Sequence, residues 1–495
     1  MKKTYIALGI CVLFCTSVAL TDMNISVSDE ISDNYLYDRL QQQDNEPTFE
    51  PQSSDWWNTN WSFSKQITIN HSQVADNLTN FPICINITDS DLADNAQSDG
   101  DDITFISADN TTQYNHEIEL YNSSTGQLVA WVNITDLSGT EDTTIYMYYG
   151  NATCSNQENA EDVWDENFMA VWHLNDTNWL DSTANNIDLT AGDAPSVVDT
   201  PWGKGADFDG TEELSHATFL DGAQNDMTIE YTFLIDTSVS DEHFHLFKQQ
   251  GAGLYFQFST RYDDINSGWD NGELENLATT GDDASINNYY YHGAGLDGGN
   301  YMKAWLDGNI YHNDSHADTW SAGTQTDFQV GGYAPQMTGI LDEIRFSSIA
   351  RGDDWILTSY NCMNNATDGG FYTIGDEQIQ LDNWLHNRKI TINSSQIPSN
   401  LTNFPVCINI TDAHLASKAQ SDGDDILFTA DNITKLNHEI ELYNSTTGHL
   451  VAWANITSLS STEDTAIYMY YGNATCNNQE NAEDVWDDNY VGVYH

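Results

Sequence analysis

The chain has 495 residues, with 76 Asp and Glu against 14 Lys and Arg, for a formal net charge of −62. Such a balance excludes nucleic acid as a partner, because phosphate backbones are bound through cationic side chains. It also predicts self-repulsion in dilute buffer, relieved by salt or divalent cations, which fits a brine or a calcium-rich surface layer.

Residues 1–19 carry two lysines, an apolar run and the small-x-small triplet Ser17-Val18-Ala19, the pattern of a secretory signal peptide. Residues 20–55 are polar, acidic and Gln-rich and predict a disordered acidic spacer. Strand signals then take over. Segments 65–70, 81–87, 102–107, 128–134 and 143–149 alternate apolar and polar residues, with Gly, Asn, Asp and Ser between them. In 81–87, Phe81, Ile83, Ile85 and Ile87 share one face; Cys84 and Asn86 share the other, which reads as wet. Only 91–97 and 156–164 read as helical, so 56–167 is predicted to be a β-sandwich.

Residues 168–375 share no pattern with 56–167 but are equally strand-rich, at 227–236, 245–249, 254–259, 301–312, 326–332 and 339–348, with LDGN at 306–309 as a hairpin turn. A larger jelly-roll sandwich is expected here. The segment NNYYYHGAGLDGG, which holds Tyr289, Tyr290 and Tyr291, reads as a core strand of it. A short linker, 376–383, leads to a repetition. NFPICINITDSDLADNAQSDGDDI from Asn80 returns as NFPVCINITDAHLASKAQSDGDDI from Asn403, and YMYYGNATCSNQENAEDVWD from Tyr146 returns as YMYYGNATCNNQENAEDVWD from Tyr468. Residues 384–495 are therefore a second β-sandwich of the same kind. Its last residues, YVGVYH, match FMAVWH at 168–173 and read as the truncated start of another jelly roll, expected to fray or to join a neighbouring edge. Arrays of this sort favour surface or adhesive roles, where avidity grows with copy number.

Cys84 and Cys154 recur as Cys407 and Cys476, which predicts one disulfide per repeat; the alternative is four free thiols packed as small hydrophobes. Cys362 has no counterpart. N-x-[ST] sequons at Asn60, Asn70, Asn77, Asn86, Asn122, Asn133, Asn151 and Asn473 suggest a glycosylated protein outside the cell or on its surface. The SDGDDI loops group Asp99, Asp101 and Asp102, and again Asp422, Asp424 and Asp425. They read first as turns whose carboxylates accept backbone amides and second as hard-cation ligands. Trp269, Trp320 and Tyr333 stand in Gly- and Asp-rich surroundings and are the candidate sugar-stacking residues.

Catalytic patterns fail. Neither Glu273/Glu275 nor Asp342/Glu343 makes the E-x-D-x-x-E arrangement of jelly-roll glycosidases, and HEIEL at His116 lacks a second histidine. The chain is predicted not to be an enzyme.

The repeat resembles the DUF2341 family through W-x-x-x-x-x-I-T-I, N-F-P-x-C-I-x-I, S-D-G-D-D-I, H-E-I-E-x-Y-N and Y-M-Y-Y-G-N…D-V-W-D, over residues 56–167 and 384–491. That family has no assigned function and occurs on exported multidomain proteins. Residues 168–375 resemble the laminin-G-like domains of the concanavalin A-like superfamily through VWHL (171–174), GKGADFDG (203–210), KAWLDGN (303–309) and GILDEIRFSSIARGDDWI (339–356). This second resemblance implies a carbohydrate or glycoprotein ligand and a structural calcium. Asp342 would be a ligand, with Asp181 and Asp209 joining from loops; pairing of Asp342 with Arg345 or Arg351 is the competing reading. The expected architecture is all-β: repeat, jelly roll, repeat. The expected role is carbohydrate or glycoprotein binding and adhesion, with surface-layer components as further partners. A structural stalk and the non-catalytic part of a larger exported hydrolase are the alternatives.

Overall fold

The computed structural model describes residues 25–27 and 56–495, except 222, 225, 236–241, 252–253, 262–263, 270–284, 286, 299–300, 315–319, 322–326, 333–335, 432 and 487–489. The chain is all-β and forms two compact units, residues 54–377 and residues 1–53 with 378–495.

In the first unit, the repeat folds as two sheets. One runs Leu78–Thr88, Gln127–Leu137, His116–Asn122; the other runs Tyr372–Ile374, Phe63–Ile69, Thr143–Tyr149, Thr104–Ser107, Gln113–Tyr114. Their inward faces are the alternating apolar positions of the sequence, such as Ile83, Ile85, Ile67, Ile145 and Met147, all buried. Gly126 precedes the long strand at φ +67, and a Cβ there would stand 1.7 Å from the Asp89 carbonyl oxygen. Gly448 repeats this against Asp412, so glycine is required at the position in both copies. The Asp-rich loop is a backbone clamp. Asp102 accepts the amides of Gln97, Gly150 and Asn151, and Asp425 accepts those of Gln420 and Gly472.

Residues 168–375 supply the larger sandwich. Its main sheet runs Ser196–Thr200, Gly203–Asp209, Thr338–Ser347, Met227–Ile235, Tyr289–Asp297, Tyr301–Leu306, Asn309–Asp314, and Phe168–Trp172 also pairs with Thr338–Ser347. The facing sheet runs Thr190–Ala191, Leu214–His216, Phe328–Val330, Glu242–Gly251, Leu254–Arg261, Asp264–Trp269. The core between them includes Trp172, Phe208, Tyr231, Phe328, Leu341, Ile344 and Phe346. The LDGN turn places Asp307 at φ 49 and Gly308 at φ 72, the left-handed pair of a tight hairpin.

Several expectations change. Strand Tyr372–Ile374, read as the end of the jelly roll, belongs to the sheet of the repeat, where its register sets Ile69 against Tyr372. In the second unit Ile25–Val27, read as spacer, occupies the corresponding edge, with Ile25 against Ile392. Segment 156–164 holds only the short turn Ala160–Asp162. A twelve-residue helix, Asp353–Asn364, follows the sandwich where only a motif had been read. Its first turn carries Asp353 and Asp354, favourable to the helix dipole, and its buried face is Trp355, Ile356, Ser359, Cys362 and Met363.

That helix explains the cysteines. Cys84 lies beneath it, fully buried, and its backbone amide donates to Cys362 Sγ at 3.2 Å. Cys154 stands after the strand Thr143–Tyr149 of the other sheet, with Sγ 3.4 Å from Asn151 O, and Cys476 repeats this against Asn473 O. The predicted disulfides Cys84–Cys154 and Cys407–Cys476 are therefore not formed, and all five described cysteines are free thiols. The duplication reflects two separate packing positions rather than one bond. The face of strand 81–87 read as wet is covered at Cys84 by the helix Asp353–Asn364, while Asn86 is half-buried.

Candidate functional site

Repeat and sandwich meet across a buried charged cluster. Glu117 and Glu119 sit at alternate positions of the strand His116–Asn122, so both point to its outer face. Opposite them, Thr338–Ser347 carries a bulge. Its register shifts against Glu230 and Thr232, and Glu343 adopts φ 56. Leu341, Ile344 and Phe346 stay in the sandwich core, so Asp342, Glu343 and Arg345 are all turned outward. His173, directly after Phe168–Trp172, joins the two sides. Its Nδ1 lies 2.6 Å from Glu343 Oε1 and its Nε2 3.2 Å from Glu117 Oε2. Arg345 donates to Glu343 Oε2 at 2.6 Å and stacks with its guanidinium carbon 4.1 Å from the centre of the Trp131 ring. The indoles of Trp131 and Trp164 donate to Glu119 and Glu117 at 3.2 and 3.0 Å.

The charges balance internally. Burial opposes ionisation of Glu343, but His173 and Arg345 outweigh it and hold its pKa at about 2. Burial likewise opposes protonation of His173, yet Glu343 and Glu117 hold its pKa well above the usual range. Glu119 and Asp342 are pushed well upward, first by burial and then by the Glu343 charge. Two carboxylates thus face two cations, and burial beside Glu343 disfavours ionisation of the other two acids. Glu119, His173 and Glu343 offer ligand atoms within 4.8 Å of one another, a metal-capable spacing, but His173 and Arg345 already neutralise that group.

Beside this cluster lies a cavity of about 240 Å³, lined by residues of both parts. Tyr289, Tyr290, Tyr360 and Trp202 supply aromatic surface; Asn86, Asp307, Asn364 and Thr367 supply polar groups. The aromatics are held firmly. Trp202 donates its indole N–H to Met363 O at 2.6 Å and meets Tyr289 edge-on at 5.3 Å. Asp307 Oδ1 accepts the Tyr291 amide at 2.9 Å, and Asn86 Nδ2 donates to Pro201 O at 2.7 Å. Burial raises the Tyr289 phenol to about 12, so it stays neutral.

The residues named from sequence fall elsewhere. Trp269 closes one short strand and Trp320 opens another, against Phe256 and Gln224 respectively, and Tyr333 lies outside the described residues. Asp181, Asp209 and Asp342 do not converge. Both oxygens of Asp181 hold its own loop, through Val171, Thr183 and Ile187. Asp209 is exposed and pairs in register with Thr338, four residues along the strand from Asp342, whose Oδ2 accepts Thr200. Among the sequons, Asn60, Asn77 and Asn122 are exposed and Asn70 and Asn86 half-buried. Asn133, Asn151 and Asn473 are buried, and Asn133 Nδ2 is committed to Val163 O, so the fold does not present these three to a glycan. Tyr289 and Tyr290, read as core, are half-buried and line the cavity; Tyr291 is buried. The available signal was HEIEL itself, two carboxylates on one strand face, repeated in both copies.

Residues 99–184 and 422–491 match DUF2341, a domain of unknown function. The first DUF2341 match runs on through His173 into the sandwich, so it includes Glu117, Glu119 and His173 of the charged junction but not Glu343 or Arg345. No curated protein matches the chain. Among solved structures, domain 4 of an extracellular GH43 arabinanase from Geobacillus stearothermophilus, in complex with arabinotriose, aligns at 14% identity and TM-score 0.34, covering 39% of this chain and 98% of that one. The binding domain of botulinum neurotoxin serotype D aligns at 10% identity and TM-score 0.35, covering 60% and 94%. Trypanosoma rangeli sialidase in complex with the inhibitor DANA aligns at 12% identity and TM-score 0.31, covering 50% and 44%.

Proposed function

We propose that this is an exported, surface-located binding protein that takes a carbohydrate into the cavity between the first DUF2341 repeat and the laminin-G-like sandwich. The supporting observation is the lining: fixed aromatic rings beside amide, hydroxyl and carboxylate groups, the combination that sugar rings require. At about 240 Å³ the cavity is smaller than the roughly 300–1,000 Å³ of drug-sized pockets. It suits one sugar ring or a chain end. The reading is binding rather than catalysis, since Glu343 and Glu117 next to the cavity are paired with Arg345 and His173.

A glycan array probed with the full chain tests this reading. A restricted set of hits is expected. Tyr360→Ala, which removes a half-buried ring from the cavity wall, should weaken them by about tenfold or more, in line with the roughly 1–3 kcal/mol commonly found when a stacking aromatic is truncated. Hits that persist unchanged in the Tyr360→Ala protein would place the binding elsewhere.

A further inference from the structure

The two repeats build the same half-site. In the second, Trp486 and Trp453 donate to Glu439 and Glu441 at 2.9 and 3.1 Å, as Trp164 and Trp131 do to Glu117 and Glu119. His495 stands 3.4 and 3.5 Å from Glu439 and Glu441, in the place of His173. The tryptophans are also paired alike, at 5.3 Å in the second repeat and 5.7 Å in the first.

What differs is the cover. In the first repeat Arg345 caps Trp131, and the helix Asp353–Asn364 closes over Cys84 and Phe81. Among the described residues no guanidinium caps Trp453. The Glu119 side chain is 0% exposed and its counterpart Glu441 35%. Phe81 is 1% exposed and Phe404 38%. Cys84 is buried and Cys407 only half-buried. The second face keeps the acids, the indoles and the apolar strand of the first, yet leaves them partly exposed.

We infer that the outer face of the second repeat, around Glu439, Glu441, Trp453 and Cys407, is a docking surface for a sandwich of the kind formed by residues 168–375. Its counterpart of Arg345 would stack on Trp453, and its counterpart of Glu343 would pair with His495. Charge complementarity selects this occupant, since two carboxylates and two indoles await a cation. A second copy of this chain is a poor source. Its own Arg345 is already buried against Trp131 and Glu343, so lending it would open its own unit.

The test extends the full chain with a second copy of residues 174–377 behind His495 and follows alkylation of Cys407 by peptide mass spectrometry. In the 495-residue chain Cys407 should label readily while Cys84 does not. In the extended chain Cys407 should become as protected as Cys84, and Arg345→Ala placed in the added copy should restore labelling. Equal labelling of Cys407 in both chains would overturn the inference. So would an added copy that fails to fold, because the second repeat would then not replace the first as its cover. Protection of Cys407 in the 495-residue chain that grows with protein concentration would instead name a second copy as the occupant, and would overturn it too.

Discussion

Arg345→Ala should destabilise residues 54–377 by about 3–5 kcal/mol, the usual result of removing one member of a buried ion pair. The change strips Glu343 and Trp131 of their cation in a site closed to water. Glu343 must then take up a proton or stay charged against His173 alone. Arg345→Lys keeps the charge but loses the flat stack on Trp131, so it should fall between alanine and the native protein. The double change Glu343→Gln with Arg345→Met removes both charges together and should recover much of the loss. Urea unfolding of the four proteins gives the order directly. An alanine variant as stable as the native chain would show that repeat and sandwich do not depend on this pair.

Acid should weaken the second unit between about pH 6.5 and 4. His116 and His438 are equivalent buried rings in the two repeats, and burial lowers each to about 4 despite nearby backbone carbonyls. His292 in the sandwich is lowered by burial to about 3. A ring that stays neutral in the folded state and protonates at about 6.5 when unfolded contributes its full stability above pH 6.5. The contribution drains as pH falls towards the folded value and is constant below it. For each repeat histidine that amounts to roughly 3 kcal/mol between pH 6.5 and 4. Glu343, lowered to about 2, adds a further loss below about pH 4.5. The raised groups act in the opposite sense: His173, Glu119 and Asp342 contribute most at low pH and lose their effect as pH rises. Urea midpoints of the second unit at pH 7 and pH 4.5 should therefore differ strongly, and His438→Phe should reduce the difference, whereas in residues 54–377 the raised groups offset the histidines. Equal midpoints at the two pH values would mean that these rings reach solvent.

Much of the fold was legible because strand alternation and the exact repetition are local signals. Ile83 and Ile85 point inward as their spacing predicts, while Phe81, grouped with them by spacing, packs against Trp355 of the helix, and the LDGN turn has the left-handed pair that its sequence demands. The Asp102 and Asp425 clamps also follow from an Asp-rich turn beside backbone amides. What could not be read was the second face of the same strands. Cys84, Val129 and Trp131 look like ordinary alternation whether water or another domain lies beyond them. Only the fold shows that the helix Asp353–Asn364 and the outward bulge at Glu343 cover them. The duplicated cysteines were misread for the same reason, since repetition preserves packing positions as faithfully as it preserves bonds. The cavity was illegible because it draws on Asn86 in one domain and on Trp202, Tyr289 and Tyr360 in the other, far apart in sequence.

The decisive measurement is a crystal of the full chain soaked with the strongest glycan found on the array. Sugar density should lie between Trp202, Tyr289 and Tyr360, within hydrogen-bonding distance of Asp307 or Asn364. Density at Trp269, Trp320 or Tyr333 instead, with the cavity between repeat and sandwich empty, would contradict the proposed site.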